Sequence, residues 1–283
     1  MPDPLAEWKL AQSKTMTQTG ASRGGMSFVL THGKFGESAI RLVRLVRKGD
    51  RQELRDLAVQ LLLKGDFERG FTEGEALPLG REQAIADRVY ALAHEHCGDQ
   101  IEPFALVLSQ HVLRFFPRVS EVEVEIVEQL WGRVTVGGRA HDYAFTASGE
   151  QRLARVTRSA DSVQVEAGFS DLPILRILRA DKEDAGLFNG TLTARWRYGW
   201  ADVPYGLHWQ QVRQVVLDTF ANHAAGTAHQ LLHDMAQAAL DQTPSIVEMR
   251  FALRVRRHHP ADLSRSGMHN DGTLLIPEAG PLG

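Results

Sequence analysis

His229 and His233, four residues apart, are the side chains of this 283-residue chain whose type and spacing first suggest chemistry. On a helix they share a face, a geometry that binds a metal ion when a third ligand such as His258 or His259 approaches. No Cys or Glu ligand stands beside them, so they read as solvent-facing imidazoles and no metal is assigned. The run His94-Glu95-His96-Cys97 crowds a helix end, where cationic side chains suit the dipole. Cys97 is the single cysteine, which excludes an internal disulfide. Arg41, Arg44, Arg47, Lys48 and Arg51 form a local basic run. With a formal charge of -3 and a pI near 6.5, it reads as a solvated strand edge, and no nucleic-acid partner is expected.

The elements that would position these groups come in two similar series. In the first half, 37–47 and 53–64 carry the Leu-rich and β-branched runs of strands, separated by Lys48-Gly49-Asp50, and should pair as a hairpin. Apolar residues at helical spacing predict helices over 81–97 and 102–116. The segment 119–126 (VSEVEVEI) alternates apolar and acidic residues, the pattern of a sheet with one dry face. The second half repeats the order with strands at 141–158 and 191–198, helices over 208–222 and 227–241, and a strand at 246–255. Pro244 supplies the stop before that last strand.

An internal tandem of one αβ unit follows, and such repeats place a cleft where copies or subunits meet. The boundary is set at Gly137-Gly138, giving a tail over 1–27, a first unit over 28–136 and a second over 139–280. The Gly/Ser/Thr-rich start and the Gly- and Pro-containing stretch 264–283 read as loops or tails. Hydrophobic residues make up 43% of the chain, enough for one large core or two small ones. No apolar run approaches the roughly 18 residues of a membrane span. The N-terminus also lacks a signal-peptide core, so no membrane association and a cytoplasmic address are expected.

Several strings within these elements resemble urate oxidase, the cofactor-free uricase family built from two tunnelling-fold units. His32-Gly33-Lys34 stands against the family's Tyr-Gly-Lys start. Lys64-Gly65-Asp66-Phe67-Glu68 and Phe71-Thr72-Glu73-Gly74 stand against its Gly-Asp-Phe and Tyr-Thr-Glu-Gly-Asp-Asn segment. Thr193 to Tyr198 (TARWRY) and Thr219-Phe220-Ala221 match further strings, so the likeness runs over about residues 30 to 280. It implies an α+β fold of two tandem tunnelling-fold units with antiparallel sheets and helices on one face. Side-by-side joining of sheets into a homotetramer around a tunnel is expected as well, because an open sheet leaves edges that need a partner.

The resemblance also implies a site. Lys34 stands at the family's catalytic Lys, where a desolvated amine acts as base. Glu82 and Gln83 replace the family's Thr-Asp pair: Glu82 is placed to take a proton from Lys34, although a Glu at a helix start also suits the dipole, and Gln83 becomes a substrate contact. Ala228 and His229 stand for the Val and the purine-clamping Gln. A His can donate to a ligand carbonyl, yet it lacks the amide's coplanar donor and acceptor. Leu253 to His259 (LRVRRHH) faces the family's Leu-Pro-Asn-Lys-His: without a gap Arg257 takes the His position, with a one-residue shift His258 does, and the Asn is lost either way. The segment Ala180 to Gly190 is about ten residues short of the stretch holding the family's Phe and Arg; Phe188 is left as the stacking ring and the Arg has no counterpart.

The activity implied is oxidation of urate, or of a related flat heterocycle, by O2 without cofactor, to 5-hydroxyisourate and H2O2. The alternative is a diverged protein that keeps the fold and binds or transforms another heterocycle. Because planar bidentate recognition fails when either arm is removed, urate is expected to bind weakly.

Overall fold

The computed structural model describes residues 15–18, 28–49, 51–65, 82–178, 186–223 and 227–278, with side chains from Ile40 onward apart from Lys48, 82–84 and Leu178. Among the described residues ten strands and four α-helices follow in chain order: β1 (Thr15–Gln18), β2 (Phe28–Lys48), β3 (Arg51–Gly65), α1 (Glu82–His96), α2 (Ile101–Phe115), β4 (Val119–Val136), β5 (Arg139–Ser159), β6 (Val163–Leu178), β7 (Gly186–Tyr198), α3 (Tyr205–Asn222), α4 (Ala228–Gln242), β8 (Ile246–Arg256), β9 (His258–Pro260) and β10 (Leu275–Pro277). Strands β1 to β8 form one antiparallel sheet in sequence order, and β9 pairs with β10 in a small second sheet.

Period-2 alternation builds the core. Leu57, Val59, Leu61 and Leu63 of β3, Val122, Val124 and Ile126 of β4, and Leu192, Ala194 and Trp196 of β7 are all buried. Over them lie the apolar stripes of the helices, among them Phe104, Ala105, Leu108 and Val112 of α2 and Val212, Val216 and Phe220 of α3. Pro103 is tolerated because it falls in the first turn of α2, where no intrahelical donor is lost. The intervening strand residues carry ion pairs across the opposite face: Glu125 accepts from Arg155 at 2.8 Å and Arg195 at 2.7 Å, and Glu248 from Arg197 at 3.1 Å.

Three sequence expectations change. The strand 119–126 runs on to Val136, and Gly137-Gly138 is the two-residue turn of the β4–β5 hairpin, across which the sheet is continuous. Both glycines have positive φ, 57° and 79°, as a tight hairpin of this twist requires. Strand β6 is an element that the sequence reading lacks. Part of the C-terminal stretch read as a tail is ordered, with β10 pairing to β9.

Strand β6 also holds the bulge that shapes the candidate site. Up to Phe169, Val165, Ala167 and Phe169 face the helices; beyond a register shift at Phe169/Leu172, Leu172 and Ile174 do so. Asp171 takes a left-handed φ of 56° there, and its carboxylate accepts from Arg254 at 2.8 Å. One extra residue thus re-aims the rest of the strand, and it turns Arg176 toward the helices.

Candidate functional site

The second-half candidates gather around the junction of α3 and α4. Phe188 of β7 faces the helix side, its ring 5.7 Å from that of Phe220 on α3. Its cross-strand partner is Arg176, whose Nη1 donates to the carbonyls of Phe220 at 2.7 Å and His223 at 2.8 Å. Those carbonyls belong to the end of α3, where intrahelical donors have run out and a guanidinium meets the negative end of the dipole. Phe188 is therefore a packed ring of this junction. Helix α4 opens with a capping box: Thr227 Oγ1 accepts from the Gln230 backbone N–H at 3.2 Å, and Gln230 Oε1 accepts from the Thr227 N–H at 2.9 Å. Ala228 follows half-buried, and the His229 side chain is exposed.

His233 is also exposed, with Nδ1 3.5 Å from Asp234. Among the described residues no group of three or more His, Cys, Asp or Glu side chains is placed to hold a metal ion. His258 opens β9 just past the end of β8, its Nδ1 3.1 Å from the Arg256 carbonyl oxygen. His259 beside it and Arg257 before it are exposed.

The first-half candidates lie elsewhere. Lys34 is on β2, opposite Lys64 in register, and Lys64 pairs with Glu121 of β4. Glu82 and Gln83 begin α1. The side chains of Lys34, Glu82 and Gln83 lie outside the described residues, as do Asp66 to Gly74 with the strings that carry part of the resemblance.

The register measures how far apart the two groups are. One line of paired residues crosses the sheet from Leu42 through Leu57, Glu128, Arg152, Phe169 and Ala194 to Phe251. Lys34 stands eight residues before Leu42, and His258 seven residues after Phe251, toward the opposite end of the sheet. At a strand rise of about 3.3 Å each departure is roughly 25 Å, and the six strand spacings from β2 to β8 add about 30 Å across. Within one chain the two groups do not meet.

A tie between the halves lies beneath the helices. Glu102, in the first turn of α2, is fully buried and takes two hydrogen bonds from Arg152 Nη2 on β5, at 3.0 and 2.8 Å. The Arg152 guanidinium carbon is 5.3 Å from the ring of Trp209 on α3, and Trp209 Nε1 donates to the Gly168 carbonyl on β6 at 2.8 Å. Burial pushes the Glu102 carboxyl up, and Arg152 only partly opposes it. Arg176, His223 and Asp234 were missed by sequence reasoning. For Arg176 the signal was available in the alternating apolar residues of β6, while the bulge that re-aims it has no local signature.

A profile of the uricase family matches residues 182–283. The uricase of Arthrobacter globiformis is 27% identical over 95% of this chain and 92% of its own length. Its crystal structure superposes with a TM-score of 0.80, covering 89% of this chain and 91% of that one. The chain is therefore similar to the uricases along most of its length. The uricase of Danio rerio is 23% identical over 93% of this chain and 94% of its own length. The uricase structure from Bacillus fastidious, 18% identical with a TM-score of 0.72, shares the fold over 88% of this chain and 90% of that one. The fold is accordingly the α+β tunnelling fold of the uricases. No helix among the described residues is long and apolar enough to cross a membrane.

Proposed function

We propose that this protein is a urate oxidase: urate, O2 and water give 5-hydroxyisourate and H2O2, with no cofactor. The observation that carries the reading is the end-to-end likeness to the Arthrobacter globiformis uricase, 27% identity over 95% of the chain. Lys34 on β2 acts as base toward the heterocycle, with Glu82 as the next proton acceptor and Gln83 as a contact at the ligand edge. His258 stands at the oxygen side. Ala228 and His229, at the start of α4, meet the other edge of the ring, and Phe188 supports them from the packed junction behind.

The separation of Lys34 from His258 supports a site completed by a second copy of the chain. Strand β8 ends the sheet on one side among the described residues, and such an edge is unsatisfied in isolation. A second copy that brings its β2 end to the β8 side supplies Lys34 to the α3–α4 junction, and a closed assembly follows, a homotetramer in this reading. The domain division into units over 28–136 and 139–280 is part of the same proposal.

The test is loss of urate's ultraviolet absorbance on mixing with pure protein in air, accompanied by peroxide. Equimolar peroxide and arrest of the reaction when dioxygen is removed are expected. Unchanged urate absorbance in air would overturn the reading.

A further inference from the structure

His223 is the C-cap residue of α3, and its side chain is nearly enclosed, 10% exposed. Its Nδ1 lies 3.1 Å from Asp234 Oδ2 on α4. A carboxylate there takes the Nδ1–H hydrogen bond and so fixes the neutral ring in the tautomer whose Nε2 is a bare acceptor. Nε2 is buried and has no hydrogen-bond partner among the described residues. Leaving an acceptor in that state is costly, and buried polar groups are nearly always paired, so a native fold that does so calls for an account.

The surroundings hold the ring firmly. Arg176 grips the His223 carbonyl, Asp234 grips Nδ1, and the capping box of α4 fixes the far side of the turn. The charged groups facing the ring are thus Arg176 from β6 and Asp234 from α4, with exposed His233 sharing that carboxylate. The same node borders the second-half candidates. Phe188 is the cross-strand partner of Arg176 and packs on Phe220, while Ala228 and His229 begin the helix that carries Asp234.

We infer that His223 is a specificity-determining residue of the heterocycle pocket, its Asp234-held Nε2 accepting a hydrogen bond from a ring N–H of the ligand. The inference rests on the reading of this junction as the pocket for a flat heterocycle, and it names the substrate class: lactam-type purines that keep a free N–H at the edge facing α3. Position 229 carries a His where an amide would offer donor and acceptor together, and His223 restores the acceptor. Arg176 is the positioning residue that fixes it.

The experiment is calorimetric titration of the full-length protein with xanthine and with its singly N-methylated derivatives, in the wild type, His223→Leu and His223→Gln. The wild type should bind xanthine roughly tenfold or more better than the derivative methylated at the recognised nitrogen, the worth of one hydrogen bond. His223→Leu should bring that ratio close to one. His223→Gln, whose Oε1 can stand near the Nε2 position, should keep part of it. A merely structural role would lower both affinities together and leave the ratio unmoved, and that result overturns the inference, as does failure of every purine to bind. Discrimination through His223 in a protein that leaves urate unoxidised would overturn the uricase reading while sustaining this one.

Discussion

Arg152→Met removes the cation from a buried pair and leaves the Glu102 carboxylate enclosed by α2, β5 and α3 with neither of its two Arg152 hydrogen bonds. Breaking a buried ion pair from one side costs about 3–5 kcal/mol, because the remaining charge has lost its water and its partner. At about 2 °C per kcal/mol for a chain of this size, the melting temperature should fall by roughly 6–10 °C. The loss should also depend on pH in a defined direction. Burial raises the folded pKa of Glu102 above its unfolded value, so the folded state holds that proton more tightly and stability is lost as pH rises through the folded pKa. Without Arg152 that rise is larger, and the deficit should be smaller in mild acid than at neutral pH. The double variant Glu102→Gln with Arg152→Met should recover much of the loss. Calorimetric melting of the single and double variants at both pH values reads all of this. A pH-independent deficit below about 1 kcal/mol would refute the reasoning, since it would place the carboxylate in contact with water.

Lys34→Met should leave the assembly intact while lowering urate turnover by two or more orders of magnitude, the loss expected for a positioned base; unimpaired turnover would return Lys34 to a structural role. Titration of urate against xanthine and 8-azaxanthine should show urate in the millimolar range, about 4 kcal/mol of binding, because the family's Gln is His229 and its Arg has no counterpart in sequence. Micromolar urate affinity would show that another residue supplies the planar fork. Light scattering at micromolar concentration should give a mass near four times 31.5 kDa, and a monomer would sink the shared-site account.

Local patterning carried much of the fold. The two hairpin strands β2 and β3, the helices α1 to α4 and the alternating start of β4 follow from periodicity, because each presents one apolar face to one core. Strand β6 was lost because its alternation is broken at Ser170-Asp171, where the bulge shifts the core-facing set by one residue. Gly137-Gly138 was taken as a linker although paired positive-φ glycines serve a hairpin turn equally well, and only the long-range pairing of β4 with β5 distinguishes them. The expectations at Lys34, Ala228, His229 and His258 came from family strings, and activity and binding measurements are what test them. The node of Arg176, His223 and Asp234 was not legible in the sequence, since it joins residues from three elements and depends on where the bulge points a side chain.

The central claim, a uricase site shared between two chains, is tested most directly by mixing two inactive variants. Lys34→Met and His258→Asn proteins, each assembled alone, should oxidise urate at no more than about a hundredth of the wild-type rate. Co-assembled in equal amounts they should recover roughly a quarter of it, because half of randomly assorted pairs are mixed and each mixed pair contains one intact site. Mixed assemblies as inactive as their parents would contradict the account, since both residues would then have to come from a single chain.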